Sequence, residues 1–151
     1  MATEFDFADE AQVLAFGAAI APLLRAGDVI ALRGGLGAGK TTLTRGILAA
    51  LGLQEEAPSP TFAIVQPYAP PEVSLPLAHV DLYRIDDAAD IDELGLDEYL
   101  YDGALVIEWP ERMGARLWPD ALILDIAIMP DGTRRLTATI PPAWKDRWPP
   151  R

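Results

Sequence analysis

Asp28-Val-Ile-Ala-Leu32-Arg33-Gly34-Gly-Leu-Gly-Ala-Gly39-Lys40-Thr41-Thr42 passes from an almost unbroken apolar run into a glycine-rich turn. Asp28 to Leu32 has the length and composition of a strand buried on both faces, as in a parallel sheet. Beyond the turn, Leu43, Ile47, Leu48 and Leu51 recur at helical spacing until Gly52 stops them. Strand, glycine-rich loop and helix in that order, with Gly34-x-x-x-x-Gly39-Lys40-Thr41 between them, match the P-loop that surrounds nucleotide phosphates with backbone N–H groups. The glycines permit positive dihedrals and close approach of the backbone. In that motif Lys40 would reach the β/γ-phosphates as a point charge, and the Thr41 hydroxyl can ligate Mg²⁺. Gly34, Gly35, Leu36, Gly37, Ala38, Gly39, Lys40, Thr41 and Thr42 are therefore the expected nucleotide-binding residues.

Outward from this unit, Thr3 to Phe7 reads as a short strand with Phe5 and Phe7 on one face, followed by a helix from Asp9 to about Arg25. Asp9 and Gln12 resemble a capping box, Gly17 and Pro22 weaken the helix, and Gly27 ends it. Ala57-Pro-Ser-Pro-Thr61 is forced into extended geometry by its prolines and leads to a candidate strand from Phe62 to Gln66, then a proline-rich loop from Pro67 to Pro76. Leu77 to Tyr83 is a further strand whose period of two puts His79, Asp81 and Tyr83 on one face. Asp90 to Leu100 predicts an acidic amphipathic helix with Ile91, Leu94 and Tyr99 inward, and Ala104 to Ile107 predicts a buried strand ending at Glu108-Trp109-Pro110-Glu111. Asp120 to Met129 and Arg134 to Ile140 flank Pro130-Asp-Gly132-Thr, a hairpin signal. The expected fold is α/β: one domain over 1–151, with a largely parallel mixed sheet flanked by helices and a C-terminal antiparallel hairpin.

Composition narrows the chemistry. The 151 residues are 50% hydrophobic and 23% charged, enough for a globular core. There is no cysteine and one histidine, which excludes disulfides and Cys/His metal clusters and leaves oxygen ligands for any metal. The net charge of −11 makes an independent nucleic-acid binder a poor reading. Nineteen of the 23 acidic residues but only five of the 12 basic ones precede Arg112, so the acidic cluster from Asp86 to Asp102 is either a solvated face or a docking surface. The start lacks a basic and apolar leader, and Ala121 to Met129 is far shorter than the ~20 residues of a membrane span. A cytoplasmic protein is the expectation.

An enzyme built on such a loop needs an acidic residue at the end of a buried strand, to hold the metal or orient the attacking water. Glu108 and Asp81 are the candidates. Thr61, in Ser59-Pro60-Thr61-Phe62, sits where a switch-like hydroxyl meets the γ-phosphate or Mg²⁺, or where a proline-stiffened turn does no switching. Trp109 either packs near the nucleotide or anchors a loop, and His79 reads more readily as a hydrogen-bonded strand residue than as a general base. No Asn-Lys-x-Asp segment occurs, which favours ATP over GTP. A small-molecule kinase would need lid arginines, with Arg112, Arg116, Arg134 and Arg135 as possible donors.

Gly34-Gly-Leu-Gly-Ala-Gly39-Lys40-Thr41-Thr42, Ser59-Pro60-Thr61-Phe62, His79-Val-Asp81-Leu-Tyr83-Arg84 and Glu108-Trp109-Pro110-Glu111 together resemble the bacterial TsaE (YjeE) family. Gly35 stands where many members carry an acidic residue. The resemblance implies an ATPase that supports threonylcarbamoylation of the adenosine beside the anticodon of tRNAs reading codons that begin with adenine. It implies that the transfer itself belongs to TsaD bound to TsaB, with the TsaE-type protein binding their complex and meeting tRNA only through it. Carried over by residue, Lys40 would clamp phosphates, Thr41 and Glu108 would coordinate Mg²⁺ directly or through water, and Asp81 would orient or activate water. Thr61 would report the γ-phosphate, while Trp109, Glu111 and Arg112 would line the nucleotide site or the partner surface. Two other readings stay open: a binding module in which ATP stabilises the docked state and hydrolysis is incidental, and a small-molecule kinase.

Overall fold

The computed structural model describes residues 2–35, 37–60 and 63–150. Seven strands form one sheet in the order β1-β7-β6-β2-β5-β4-β3: β1 Glu4–Phe7, β2 Val29–Arg33, β3 Val65–Tyr68, β4 Leu77–Asp81, β5 Ala104–Glu108, β6 Leu122–Ile128 and β7 Arg134–Thr139. The four central strands, β6, β2, β5 and β4, are mutually parallel, and antiparallel partners close both sides. The predicted α/β fold and its C-terminal hairpin are both present. Asp131 fixes the hairpin turn by accepting from the Thr133 N–H and hydroxyl at 3.0 and 2.6 Å.

Alternation along each parallel strand feeds two apolar layers. Ile30, Leu32, Val106, Leu122 and Leu124 face α1 (Glu10–Ile20) and α2 (Lys40–Ala50); Ala31, Val80, Leu105 and Ile107 face the short helices α3 (Ala88–Asp92) and α4 (Leu96–Tyr99). Helices α1 and α2 touch backbone to backbone. A Cβ on Gly17 would lie 2.1 Å from the Leu43 carbonyl oxygen, and one on Gly46 2.1 Å from that of Leu14. Gly17 thus lowers helix propensity but permits the contact that seats α2, and with it the glycine-rich loop.

Several boundaries differ from expectation, each for a local reason. The first helix gives way to a 3₁₀ turn at Ala21–Leu23, where Pro22 cannot continue the α-helical ladder. Asp9 caps it by accepting from the Gln12 N–H, while Gln12 Oε1 accepts from the Ala8 N–H. The acidic helix divides into α3 and α4 because Gly95 is left-handed, with φ of 63°; Ile91 is buried as expected, Leu94 and Tyr99 are only partly buried, and Leu96, not among the expected inward residues, is buried with Ile91. β3 begins at Val65 and keeps Pro67 and Tyr68, which the proline-rich loop had claimed; an edge strand tolerates a proline. β4 ends at Asp81, leaving Tyr83 in the loop beyond it. The segment after Thr139, for which the sequence offers no periodic signal, inserts Trp144 and Trp148 into the first apolar layer.

Candidate functional site

The carboxyl ends of β2, β4 and β5 deliver their side chains to one place. β2 feeds the glycine-rich loop, in which Gly34, Gly37 and Gly39 have φ of 146°, 78° and 112°. A Cβ on Gly34 would fall 2.4 Å from the Ile126 carbonyl oxygen. Gly39 caps α2 without a side chain, so the first N–H groups of that helix have no side-chain acceptor. Such a terminus favours an anion. Lys40 and Thr41 occupy the first turn of α2.

The register pairs Asp81 of β4 with Glu108 of β5, which places both carboxylates on the sheet face that carries α2. Both are buried, as are Lys40 and His79. Glu108 Oε2 lies 2.6 Å from His79 Nε2, within hydrogen-bond reach, and accepts from the Thr41 hydroxyl at 3.3 Å. Asp81 Oδ1 accepts from the Tyr83 N–H at 2.9 Å. Lys40 donates Nζ–H to the Gly34 carbonyl at 2.7 Å, and the same ammonium lies 4.1 Å from the centre of the Trp109 ring. Trp109 holds this position from a left-handed backbone, φ 59°, against Tyr83 at 5.0 Å between ring centres. Burial pushes the Lys40 ammonium below the ordinary lysine pKa, opposed by the negative charges of Glu108, Asp81 and Glu111.

These groups open onto a cleft of about 240 Å³ lined by Gly37, Ala38, Gly39, Lys40, Thr41, Thr42, Ser59, Asp81, Glu108 and Trp109, together with Glu10 and Tyr83. The last two were not expected from the sequence. Glu10, in the first turn of α1, accepts from the Thr42 hydroxyl at 3.5 Å across α1 and α2. Glu111 and Arg112 lie outside the cleft. Glu111 borders a separate hollow with Arg33 and Leu117, and Arg112 donates to the Tyr83 carbonyl at 3.0 Å. Leu36 and Thr61 fall outside the described residues. Of the four arginines proposed as lid donors, none lines the cleft: Arg116 pairs with Asp92, Arg135 with Asp6, and Arg134 donates to the Gly132 carbonyl.

The donor set suits Mg²⁺. It consists of a hydroxyl and carboxylates beside an anion-favouring helix terminus, and among the described residues no three acidic or histidine side chains form a closed metal cage. Mg²⁺ takes one or two protein oxygens and completes its octahedron with phosphate and water, whereas zinc or calcium would require more protein ligands.

The sequence pattern of the family described as Threonylcarbamoyl adenosine biosynthesis protein TsaE matches residues 7–136. The chain belongs to the TsaE family. It is 37% identical to the tRNA threonylcarbamoyladenosine biosynthesis protein TsaE of Treponema pallidum over 123 residues, covering 81% of this chain and 89% of the relative. It is 45% identical to the Streptomyces coelicolor TsaE over 111 residues, covering 73% and 75%. A crystal structure of Bacillus subtilis YdiB superposes with a TM-score of 0.80 at 30% identity, covering 95% of this chain and 88% of that one. A TsaE-family protein serves the biosynthesis of threonylcarbamoyladenosine in tRNA, and the glycine-rich loop, β4 and β5 all lie within the matched span. No helix among the described residues is long and apolar enough to cross a membrane.

Proposed function

We propose that this TsaE-family protein is a cytoplasmic, Mg²⁺-dependent ATPase that supports repeated turnovers of a TsaB–TsaD complex in modifying tRNA. The observation that carries this reading is the convergence of Lys40, Thr41, Asp81 and Glu108 on one cleft beside the uncapped start of α2. In this reading the loop N–H groups bind phosphate oxygens, and Lys40 exchanges the Gly34 carbonyl and the Trp109 face for the phosphate chain. Thr41 and Glu108 hold Mg²⁺, directly or through water, and Asp81 orients the attacking water. Mg²⁺, when bound, neutralises charge on the phosphate oxygens. A −11 protein docks onto other proteins more readily than onto tRNA, so tRNA is met through the partners.

The kinase reading loses support because Arg116, Arg134 and Arg135 are engaged away from the cleft, while Arg112 is bonded to the Tyr83 carbonyl at its rim. A docking module without hydrolysis keeps the same residues and is separated by experiment. Phosphate release from Mg·ATP is measured with the protein alone and with purified TsaB–TsaD, taking Lys40→Ala as the blank. Release above the blank, raised by the pair, is expected. ATP binding with no release above the blank in either condition would leave only the docking module.

A further inference from the structure

His79 lies in the middle of β4, 1% exposed, two residues before Asp81 and on the same sheet face. Its Nε2 reaches Glu108 Oε2 at 2.6 Å, the shortest side-chain bond that carboxylate makes among the described residues. Its Nδ1 is buried with no partner among the described residues. A ring nitrogen facing a carboxylate oxygen must carry the hydrogen, and the unpartnered nitrogen is then the bare one, because an orphaned buried N–H is costlier than an unused lone pair. The ring is thus committed to one task, donation to Glu108.

We infer that His79 is a positioning residue for the metal-binding carboxylate. Its Nε2–H fixes the rotation of Glu108 through Oε2, the oxygen that also accepts from Thr41, and so holds the Thr41–Glu108 pair ready for Mg²⁺. A ligating carboxylate is commonly held by such an outer hydrogen bond, whose loss weakens metal affinity by about 10–100-fold. The inference rests on the Mg²⁺ site of the proposed function and adds a residue to which that reading gave no role.

Binding of a fluorescent ADP analogue is titrated with Mg²⁺, and separately in EDTA, for the wild type, His79→Leu, His79→Gln and His79→Asn, with the fold checked by circular dichroism. A glutamine amide reaches the place of Nε2, whereas the shorter asparagine does not. Half-saturating Mg²⁺ should rise about tenfold or more in the Leu and Asn variants and stay near wild type in Gln, as expected for an outer-shell donor. Affinity in EDTA should be unchanged throughout. Equal Mg²⁺ dependence of Gln, Asn and wild type overturns the inference, even if the Leu variant fails to fold. So does a loss of affinity that is the same with and without Mg²⁺, since a purely structural role would give that. Absence of Mg²⁺-dependent binding in the wild type itself would overturn both this inference and the reading on which it rests.

Discussion

Two charged clusters with largely covered side chains occupy opposite ends of β2, and they are satisfied in opposite ways. At the amino end, Arg147 grips Asp28 through both carboxylate oxygens at 2.6 and 3.0 Å, donates to the Leu23 and Ala143 carbonyls, and lies on the Trp144 ring. At the carboxyl end, among the described residues, Lys40 has one carbonyl and one aromatic face, and Glu108 has both of its partners on a single oxygen. The first cluster spends both Arg147 NH2 groups within the chain, away from the cleft, leaving only the Arg147 Nε–H and the Trp144 indole N–H without a partner among the described residues, and it pins the C-terminal segment. The second retains capacity toward something outside the chain. A buried charge alone therefore does not mark a site; unspent hydrogen-bonding capacity beside a cleft does.

The contrast can be broken most forcefully at the clamp. Arg147→Ala leaves Asp28 buried without its cation and should lower unfolding stability by about 3–5 kcal/mol in urea denaturation. Nucleotide affinity of the folded fraction should be preserved. Lys40→Ala should do the reverse, lowering phosphate release by about a hundredfold or more while leaving the urea midpoint close to wild type. Gly46→Ala tests the seat between the two: its Cβ would meet the Leu14 carbonyl oxygen at 2.1 Å, so α1 and α2 must part, at a cost of about 1–3 kcal/mol in the same denaturation.

The smallest effect is a pH dependence. The folded Lys40 pKa is depressed by burial below the unfolded value, 10.5, so between the two the unfolded chain binds more protons and stability rises with pH. Lys40→Met should remove that alkaline gain, seen as a flatter stability profile as pH approaches 10.5.

These two ends were unequally legible in the sequence. The site end is written in local patterns: an apolar run into glycines and a lysine, and two short strands terminating in carboxylates. Each side chain follows from its own segment, and parallel pairing of Asp81 with Glu108 brings the segments together. The clamp joins residues 119 apart, and Pro142 to Trp148 carries no periodicity that would announce it. Sheet order was hidden for the same reason, since β6 beside β2 and β1 beside β7 are long-range pairings. Trp109 over Lys40 depends on a left-handed tryptophan, which no local propensity predicts.

The most direct test that only the end opening on the cleft takes a ligand is the shift in thermal midpoint that saturating Mg·ATP produces in the wild type, Arg147→Ala and Lys40→Ala. Binding to the native state raises the midpoint in proportion to ln(1 + [L]/Kd). Comparable upward shifts are predicted for the wild type and the destabilised Arg147→Ala, with none for Lys40→Ala. A shift in Lys40→Ala equal to that of the wild type, or no shift in any of the three, would contradict the account.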